Sequence, residues 1–132
     1  MSHFTKIKTK IINKECLIEA LQNLDFVVKE NVAIIGYRGR KSKGDVVIKT
    51  NKAYDVGFVK ETDGTYQMVA DWYGAARAVQ RSQHQFLSDV QKEYATVRVI
   101  NEVKRKGYRV QSRRVTETGE IKLLVVKRGY IR

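Results

Sequence analysis

The residues that could perform chemistry are few in this chain and lie far apart in sequence. Cys16 is the only cysteine, and the two histidines are His3 and His84. Nucleophilic catalysis needs a nucleophile beside a base, with a third group that orients the base. No recognisable motif surrounds these residues, so a buried and unreactive cysteine is the simpler interpretation of Cys16. His84 falls in the first turn of a predicted helix, where we expect it to be exposed.

The spacing of the titratable residues does not indicate a metal site either. Zinc and related ions need several Cys, His or carboxylate ligands, and neither histidine has carboxylates at such a spacing. A single cysteine excludes an internal disulfide or a thiolate cluster within one chain. Among the acids of one predicted hairpin, Asp63 is explained by its turn, whereas Asp55 and Asp71 could flank a cleft. We therefore predict no enzyme activity, no cofactor and no metal.

The segment from Gly36 to Gly44, GYRGRKSKG, superficially resembles a phosphate-binding loop, because glycines precede Lys41-Ser42. That motif requires a glycine directly before the lysine, and this chain has an arginine there. A mobile basic loop that docks on phosphates or acidic side chains fits the charge density better than a phosphate-binding loop does, and a solvated connection explains the same composition. The docking residues assigned to this loop are Arg38, Arg40, Lys41 and Lys43.

A second group of cations follows the predicted long helix. Arg109, Arg113 and Lys122 are expected to share a face or rim of a C-terminal hairpin. Cations that neutralise phosphates and aromatic rings that stack on bases are how single-stranded RNA is bound, although the glycine-aromatic strand motif of RNA-recognition domains is absent. The tyrosines that alternate with basic residues include Tyr37, Tyr73, Tyr108 and Tyr130. The further candidate binding residues are Arg105, Lys106, Arg109, Arg113 and Arg114.

Charge is the most unusual bulk property, with 26 basic against 14 acidic residues and a formal net charge of +12. Such an excess favours nucleic acid, acidic proteins or anionic surfaces as partners, while compositional bias is the plain alternative. The 132 residues and 42% apolar content predict a single folded domain over residues 1–132. No apolar run approaches the roughly 20 residues of a membrane-spanning helix, and the N-terminus lacks a signal-peptide pattern.

The elements that must position these residues are organised around a hairpin and a long helix. Alternating apolar residues predict two strands in YDVGFVK and TYQMVADW, joined by a turn at Asp63-Gly64. Ser82 with Gln85 fits a capping box, and a helix is predicted over Gln83–Lys106, ending before Gly107. Its apolar stripe is formed by Phe86, Leu87, Val90, Tyr94, Val97 and Ile100.

Shorter elements are predicted on either side of this centre. A strand over Ser2–Ile12 places its lysines on a solvated face, which would also protect a sheet edge. Asn13 can cap a short helix that runs to about Leu24. Between Trp72 and Arg81, alanines would tolerate a helix, whereas Gly74 argues for a break. The remaining strands are predicted at one or both of Phe26–Val28 and Val32–Ile35, at Asp45–Lys49, and in a final hairpin that turns at Thr118-Gly119.

This order of elements predicts an α+β fold. The economical arrangement is a single two-layer sandwich, in which a mainly antiparallel sheet carries one short and one long helix on the same face. A ferredoxin-like variant is one arrangement of this kind, and the sequence does not determine the strand order.

Four stretches, MSHFTKIKTKI, YDVGFVKETDGTYQMVADW, QFLSDVQKEYATVRVINEVKRKGY and TGEIKLLVV, resemble those of a known family. They are similar to the hypothetical chloroplast reading frame thirty-five family of algal plastid genomes and cyanobacteria. The resemblance covers nearly the whole chain, and the first two stretches are its most specific parts. It implies a protein of the plastid stroma, or of the cytoplasm in a cyanobacterium. It implies no activity, cofactor or catalytic residue, because none is established for the family.

Together these observations predict a non-catalytic binding or assembly module. The basic loop and the C-terminal hairpin would dock on an acidic protein surface or a larger multi-subunit complex. The alternative is RNA or ribosome binding through the same basic and aromatic surface. The sequence does not indicate an oligomeric state.

Overall fold

A computed structural model describes residues 3–129, so that Ser2 of the predicted first strand and Tyr130 lie outside the described residues. The fold is built from three helices and nine strands within that range. In chain order they are β1 (Thr5–Lys8), α1 (Lys14–Asn23), β2 (Val28–Glu30), β3 (Ala33–Ile35), β4 (Lys41–Lys43), β5 (Val46–Ile48), β6 (Val56–Lys60), β7 (Tyr66–Ala70), α2 (Trp72–Val79), α3 (Gln83–Arg105), β8 (Tyr108–Val115) and β9 (Ile121–Lys127).

Five strands form the main sheet in the order β1-β7-β6-β5-β2, and each neighbouring pair is antiparallel. The predicted hairpin is its centre, with Phe58 of β6 opposite Met68 of β7. Gly64 has a φ of 88°, the positive value that the turn requires. The α+β class and the antiparallel sheet predicted from the sequence are therefore confirmed.

The strand order also shows which variant of this class the chain adopts. β1 and β2 are joined through α1, yet they lie at opposite edges of the sheet with three strands between them. A ferredoxin-like fold would place two such strands closer together around a single intervening strand. Lys6 and Lys8 of β1 are exposed, as expected of a lysine row on an edge strand, although the strand is shorter than predicted.

All three helices pack on one face of the main sheet around a shared apolar core. Helix α1 begins at its predicted cap, where the Asn13 side chain accepts a hydrogen bond from the Cys16 N–H. In α3, Ser82 Oγ accepts the Gln85 N–H at 3.1 Å, but the Gln85 side chain donates to Asp89, so only half of the capping box forms. The helical members of the core are Cys16, Leu17, Ala20, Leu21, Ala75, Val79, Phe86, Val90, Tyr94 and Val97.

The segment before α3 is helical, as its alanines allow, and Gly74 does not break it. Helix α2 is capped by Asp71, whose carboxylate accepts the Tyr73 N–H. Gly74 lies against the ring of Tyr54, and a Cβ at that position would be 2.2 Å from Tyr54 Cε1. The glycine therefore provides space for an aromatic ring rather than a break, and the sheet carries two short helices and one long helix.

The prediction of a loop over the whole of Gly36–Gly44 was wrong. Residues Lys41–Lys43 form β4, which pairs with β3 in a small two-stranded sheet on the helix-free face of the main sheet. Ile34 of β3 is fully buried there against Val47 and Val69. The charge and glycine content of the segment predicted a loop, whereas β4 forms because its partner β3 is held by the contact of Ile34 with the main sheet.

Candidate functional site

Residues 33–43, which we call the basic hairpin, bring together the four cations assigned to docking from the sequence. Arg38, Arg40, Lys41 and Lys43 are all exposed. They extend from the tip of the hairpin along β4, where Lys41 and Lys43 lie on the same side of the strand. The hairpin places them on the side of the main sheet opposite the helices.

The tip of the basic hairpin is a tight turn centred on Arg38 and Gly39, which have φ values of 52° and 75°. The Arg40 N–H donates to the Tyr37 carbonyl at 3.1 Å, and the Gly36 N–H donates to the Arg40 carbonyl at 2.8 Å. Two successive residues at positive φ define the turn type that suits a two-residue hairpin connection. A left-handed arginine costs about 1–2 kcal/mol relative to the ordinary conformation, so Arg38 occupies a place where glycine or asparagine would be easier.

Two buried carboxylates attach the basic hairpin to the main sheet. Asp55, 2% exposed, accepts the Ile35 N–H at 3.0 Å and the Lys49 ammonium at 2.6 Å. Asp71, also 2% exposed, accepts the Tyr37 N–H at 3.2 Å. The prediction that these acids could flank a cleft was wrong. They are buried acceptors that fix the hairpin on both sides of Gly36.

The cations of the basic hairpin differ in their electrostatic pairing from Arg105, Lys106 and Arg113. Arg109 and Arg114 resemble the hairpin cations, because no ion pair between described residues includes them. None of the ion pairs found between described residues includes Arg38, Arg40, Lys41 or Lys43. Arg105 and Lys106, in contrast, both pair with Glu102 at the end of α3. Unpaired cations on a fixed element leave their charge available to a partner.

The predicted face of the C-terminal hairpin is divided by a bulge. The register of β8 against β9 shifts between Val110 and Ser112, which leaves Gln111 as the extra residue. Arg113 then lies opposite Leu123, whereas Arg114 lies opposite Lys122 and Arg109 opposite Val126. Since directly opposed residues point to the same side of a ladder, Arg109, Arg114 and Lys122 share one face and Arg113 lies on the other. The prediction that Arg109, Arg113 and Lys122 share a face was therefore wrong for Arg113.

Arg113 points at α3, where it pairs with the buried carboxylate of Glu93. Its guanidinium donates two hydrogen bonds to Glu93, at 2.6 and 3.1 Å. Asn23 of α1 donates a third at 3.1 Å. The Arg113 hydrogen bonds lower the pKa of Glu93 against the opposing effect of burial. Glu93 thus connects α3 to α1 through Asn23 and to the C-terminal hairpin through Arg113. Arg113 therefore has a structural role.

We expect Arg113→Ala to lower the free energy of unfolding by about 1–3 kcal/mol at neutral pH, because a buried carboxylate loses its cation. The pKa of folded Glu93 lies below its ordinary value of 4.5. The stabilisation by the pair is therefore complete above that value and is lost as the pH falls through the folded pKa. Urea denaturation across an acid pH series should show the difference between wild type and variant shrinking with acidification. Arg114→Ala, on the opposite face, is the matched control and should stay within about 0.5 kcal/mol.

Three tyrosines meet beside the basic hairpin, in a group that the sequence did not predict as a unit. The rings of Tyr37 and Tyr73 are 5.7 Å apart edge to face, and Tyr54 lies 6.5 Å from Tyr73. Tyr73 is 73% exposed, and the Arg38 guanidinium lies 5.2 Å from the Tyr37 ring. Tyr54 and Tyr73 also line a cleft of about 410 Å³ with Lys52 and Arg77. No local signal could reveal this group, because its members come from separate elements.

The reactive side chains are not assembled into a catalytic arrangement in the part of the chain that the structure describes. Cys16 is buried in α1, with the Asn101 side-chain amide 3.6 Å from its sulfur. His3 and His84 are exposed, as expected for His84. Over residues 3–129, no group of three or more His, Cys, Asp and Glu side chains could hold a metal ion. Within the same range, no helix has the length and apolar character needed to cross a bilayer.

Comparison with known proteins finds relatives along nearly the whole chain. Residues 20–124 match the family described as a protein of unknown function, DUF1257. The chain is 29% identical over 133 residues to the uncharacterized protein ycf35 of Cyanophora paradoxa, covering 98% of this chain and 100% of the relative. The ycf35 proteins of Pyropia yezoensis and Guillardia theta are 31% and 33% identical, over 98% and 93% of this chain and 100% and 94% of each relative. No solved structure matches.

Proposed function

The chain belongs to the DUF1257 family, as its resemblance to plastid reading frame thirty-five indicated, and we propose that it is a non-catalytic binding module. It docks through the basic hairpin on an acidic protein surface, either of a single partner or of a larger complex. Its relatives are plastid-encoded proteins, and we extend the proposal to the plastid stroma, or to the cytoplasm for a cyanobacterial chain.

One observation carries the proposal: four cations without ion-pair partners are mounted on a rigid element. Lys and Arg side chains on a mobile loop lose entropy on binding, which weakens association. Here Asp55, Asp71 and buried Ile34 fix the backbone below those cations before any partner arrives. A fixed group of cations both attracts an acidic surface over distance and holds it in one orientation.

Arg38 supports the same interpretation. Its left-handed backbone at the hairpin tip is a cost to folding, and its guanidinium lies there beside the Tyr37 ring on an exposed residue. Strained positions of this kind are concentrated at binding and active sites. The contribution of Arg38 to docking would compensate for the cost that its backbone imposes.

We expect replacement of Arg38, Arg40, Lys41 and Lys43 by alanine to abolish capture of the partner from a stromal extract. Capture should also fall as salt rises, because exposed charges are screened over about 10 Å at 0.1 M salt. The matched control replaces four other exposed lysines by alanine and so removes the same charge from other parts of the surface. They are Lys6, Lys10, Lys29 and Lys104. Proteins retained by wild type and control but lost by the hairpin variant would identify the partner. Retention of every partner by the hairpin variant would refute the proposal.

RNA binding is a second candidate, favoured by the exposed ring of Tyr73 beside Tyr37, Arg38 and the cations of the 410 Å³ cleft. A base stacked on an exposed tyrosine contributes about 1–3 kcal/mol. The same capture experiment distinguishes the two functions when the eluate is analysed for nucleic acid. RNA that is retained by wild type and lost on Tyr73→Ala would favour this second function over protein docking.

A further inference from the structure

We propose that the partner binds as an extended acidic segment that adds an antiparallel strand to the free edge of β4. This inference rests on the proposed docking function and specifies its ligand: a peptide in β conformation with acidic side chains at every second position. Recognition of this kind combines main-chain hydrogen bonds, which supply affinity, with side-chain contacts, which supply specificity.

The outer edge of β4 has main-chain groups available for a further strand. β4 pairs with β3 in a two-stranded sheet and with no other strand among residues 3–129. The Gly36 N–H bonds to the Arg40 carbonyl, and bonded and non-bonded pairs alternate along an antiparallel ladder. Ser42, opposite Ile34, is therefore the residue whose N–H and C=O face β3. Those of Lys41 and Lys43 point to the free edge.

No backbone hydrogen bond found outside the regular ladders, among the described residues, uses Lys41 or Lys43. Each of the two lysines thus presents one donor and one acceptor to the free edge. These groups are at the strand spacing that an incoming extended chain matches without rearrangement. Because the hairpin is already fixed by Asp55 and Asp71, the template for the added strand is preformed.

The side chains on this edge select an acidic strand. Lys41 and Lys43 are exposed on one side of β4, whereas Ser42 lies on the other side with buried Ile34. Residues of an added antiparallel strand that face Lys41 and Lys43 would have their Cβ atoms about 4.5–5.5 Å from those of the lysines. Carboxylates at these two positions match both charges, and Arg38 and Arg40 extend the attraction beyond the strand.

The same lysines disfavour the pairing of β4 with a second copy of this chain. Lysine on an edge strand protects against association because pairing would bring like charges together. Two copies joined through β4 would place lysines against lysines, whereas an acidic strand meets opposite charge. The edge of β4 therefore selects an acidic strand by attraction and disfavours a second copy of this chain by repulsion.

The test uses the full-length protein and a capped eight-residue peptide of alternating glutamate and threonine. Binding is followed by NMR, together with the hydrogen exchange of the Lys41 and Lys43 amides. We expect the peptide to slow exchange at these two amides. N-methylation of its two central glutamates should weaken binding about tenfold or more, because their amides face β4 in the antiparallel register. The matched control methylates the two central threonines, whose amides face away, and should bind within about twofold of the unmodified peptide.

Equal binding of the two methylated peptides, or weakening in the reverse order, would overturn the antiparallel strand addition. Binding of single-stranded RNA at the hairpin, with no binding of the peptide, would overturn it in favour of nucleic acid. The outcomes also separate this inference from the proposed function. If the four-site alanine variant loses its partner but the methylated peptides bind equally, docking stands and strand addition falls. If that variant keeps every partner, docking itself falls.

Discussion

Replacement of Asp55 by alanine is expected to lower the free energy of unfolding by about 2–4 kcal/mol, since two partly buried backbone donors lose their acceptor. The Asp55 carboxylate accepts the Ile35 N–H at 3.0 Å and the Thr50 N–H at 3.3 Å, besides the Lys49 ammonium. Alanine offers none of these contacts and leaves a polar gap below the basic hairpin. Asp55→Asn keeps one oxygen acceptor, and we expect an intermediate loss.

Urea or thermal denaturation measures this effect, with Glu19→Ala as the control. Glu19 is exposed on α1, so its replacement removes one negative charge and should change stability by less than about 0.5 kcal/mol. A loss at Asp55 no larger than that of the control would mean that Ile35 and Thr50 find other acceptors and that the carboxylate does not anchor the hairpin. Partner capture by Asp55→Ala should weaken as well, because the cations would no longer be held in one arrangement.

Local signals in the sequence predict the parts of the fold that depend on neighbouring residues. Asn13 and Ser82 mark the starts of α1 and α3, and Asp63-Gly64 marks the central turn. Each of these signals acts through hydrogen bonds within a few residues of itself. The elements that they predict are found within a few residues of the expected bounds.

The failures of prediction occur where a distant contact determines the local structure. β4 forms because Ile34 of its neighbour is buried against the main sheet, and Gly74 is retained because Tyr54 lies over α2. The bulge at Gln111 moves Arg113 to the face of Glu93, although nothing in the residues around Gln111 predicts a shift.

The candidate site shows the same division. Its cations were predicted from composition and charge, because exposed residues need no partner to be recognised. Its anchors were not, since the roles of Asp55 and Asp71 depend on backbone donors about 20 and 34 residues away in sequence. The tyrosine group likewise requires Tyr37, Tyr54 and Tyr73 to converge from separate elements. Contacts between residues so far apart leave no pattern among neighbouring residues, so they could not be predicted from the sequence.

The contact between the basic hairpin and the main sheet can be tested directly with Gly57 and Ile34. A Cβ at Gly57 would lie 2.3 Å from Ile34 Cδ1 and 2.4 Å from Ile34 Cγ1. We expect Gly57→Ala alone to cost about 1–3 kcal/mol, because an overpacked side chain must move. Ile34→Ala alone should cost about 2–5 kcal/mol through the cavity that it leaves.

The double variant decides whether these two costs come from one contact. Ile34→Ala removes the two atoms that would clash with the new Cβ and leaves only Val47 Cγ2, at 3.4 Å. Gly57→Ala should therefore be nearly neutral in that background, and the double variant should be more stable than the sum of the single effects by about 1–3 kcal/mol. Combining Gly57→Ala with Val90→Ala, on the helical side of the sheet, should instead be additive within about 0.5 kcal/mol. Additivity in the Ile34 pair would mean that the hairpin is not seated through this contact. The cations would then lack the fixed base from which the docking function is argued.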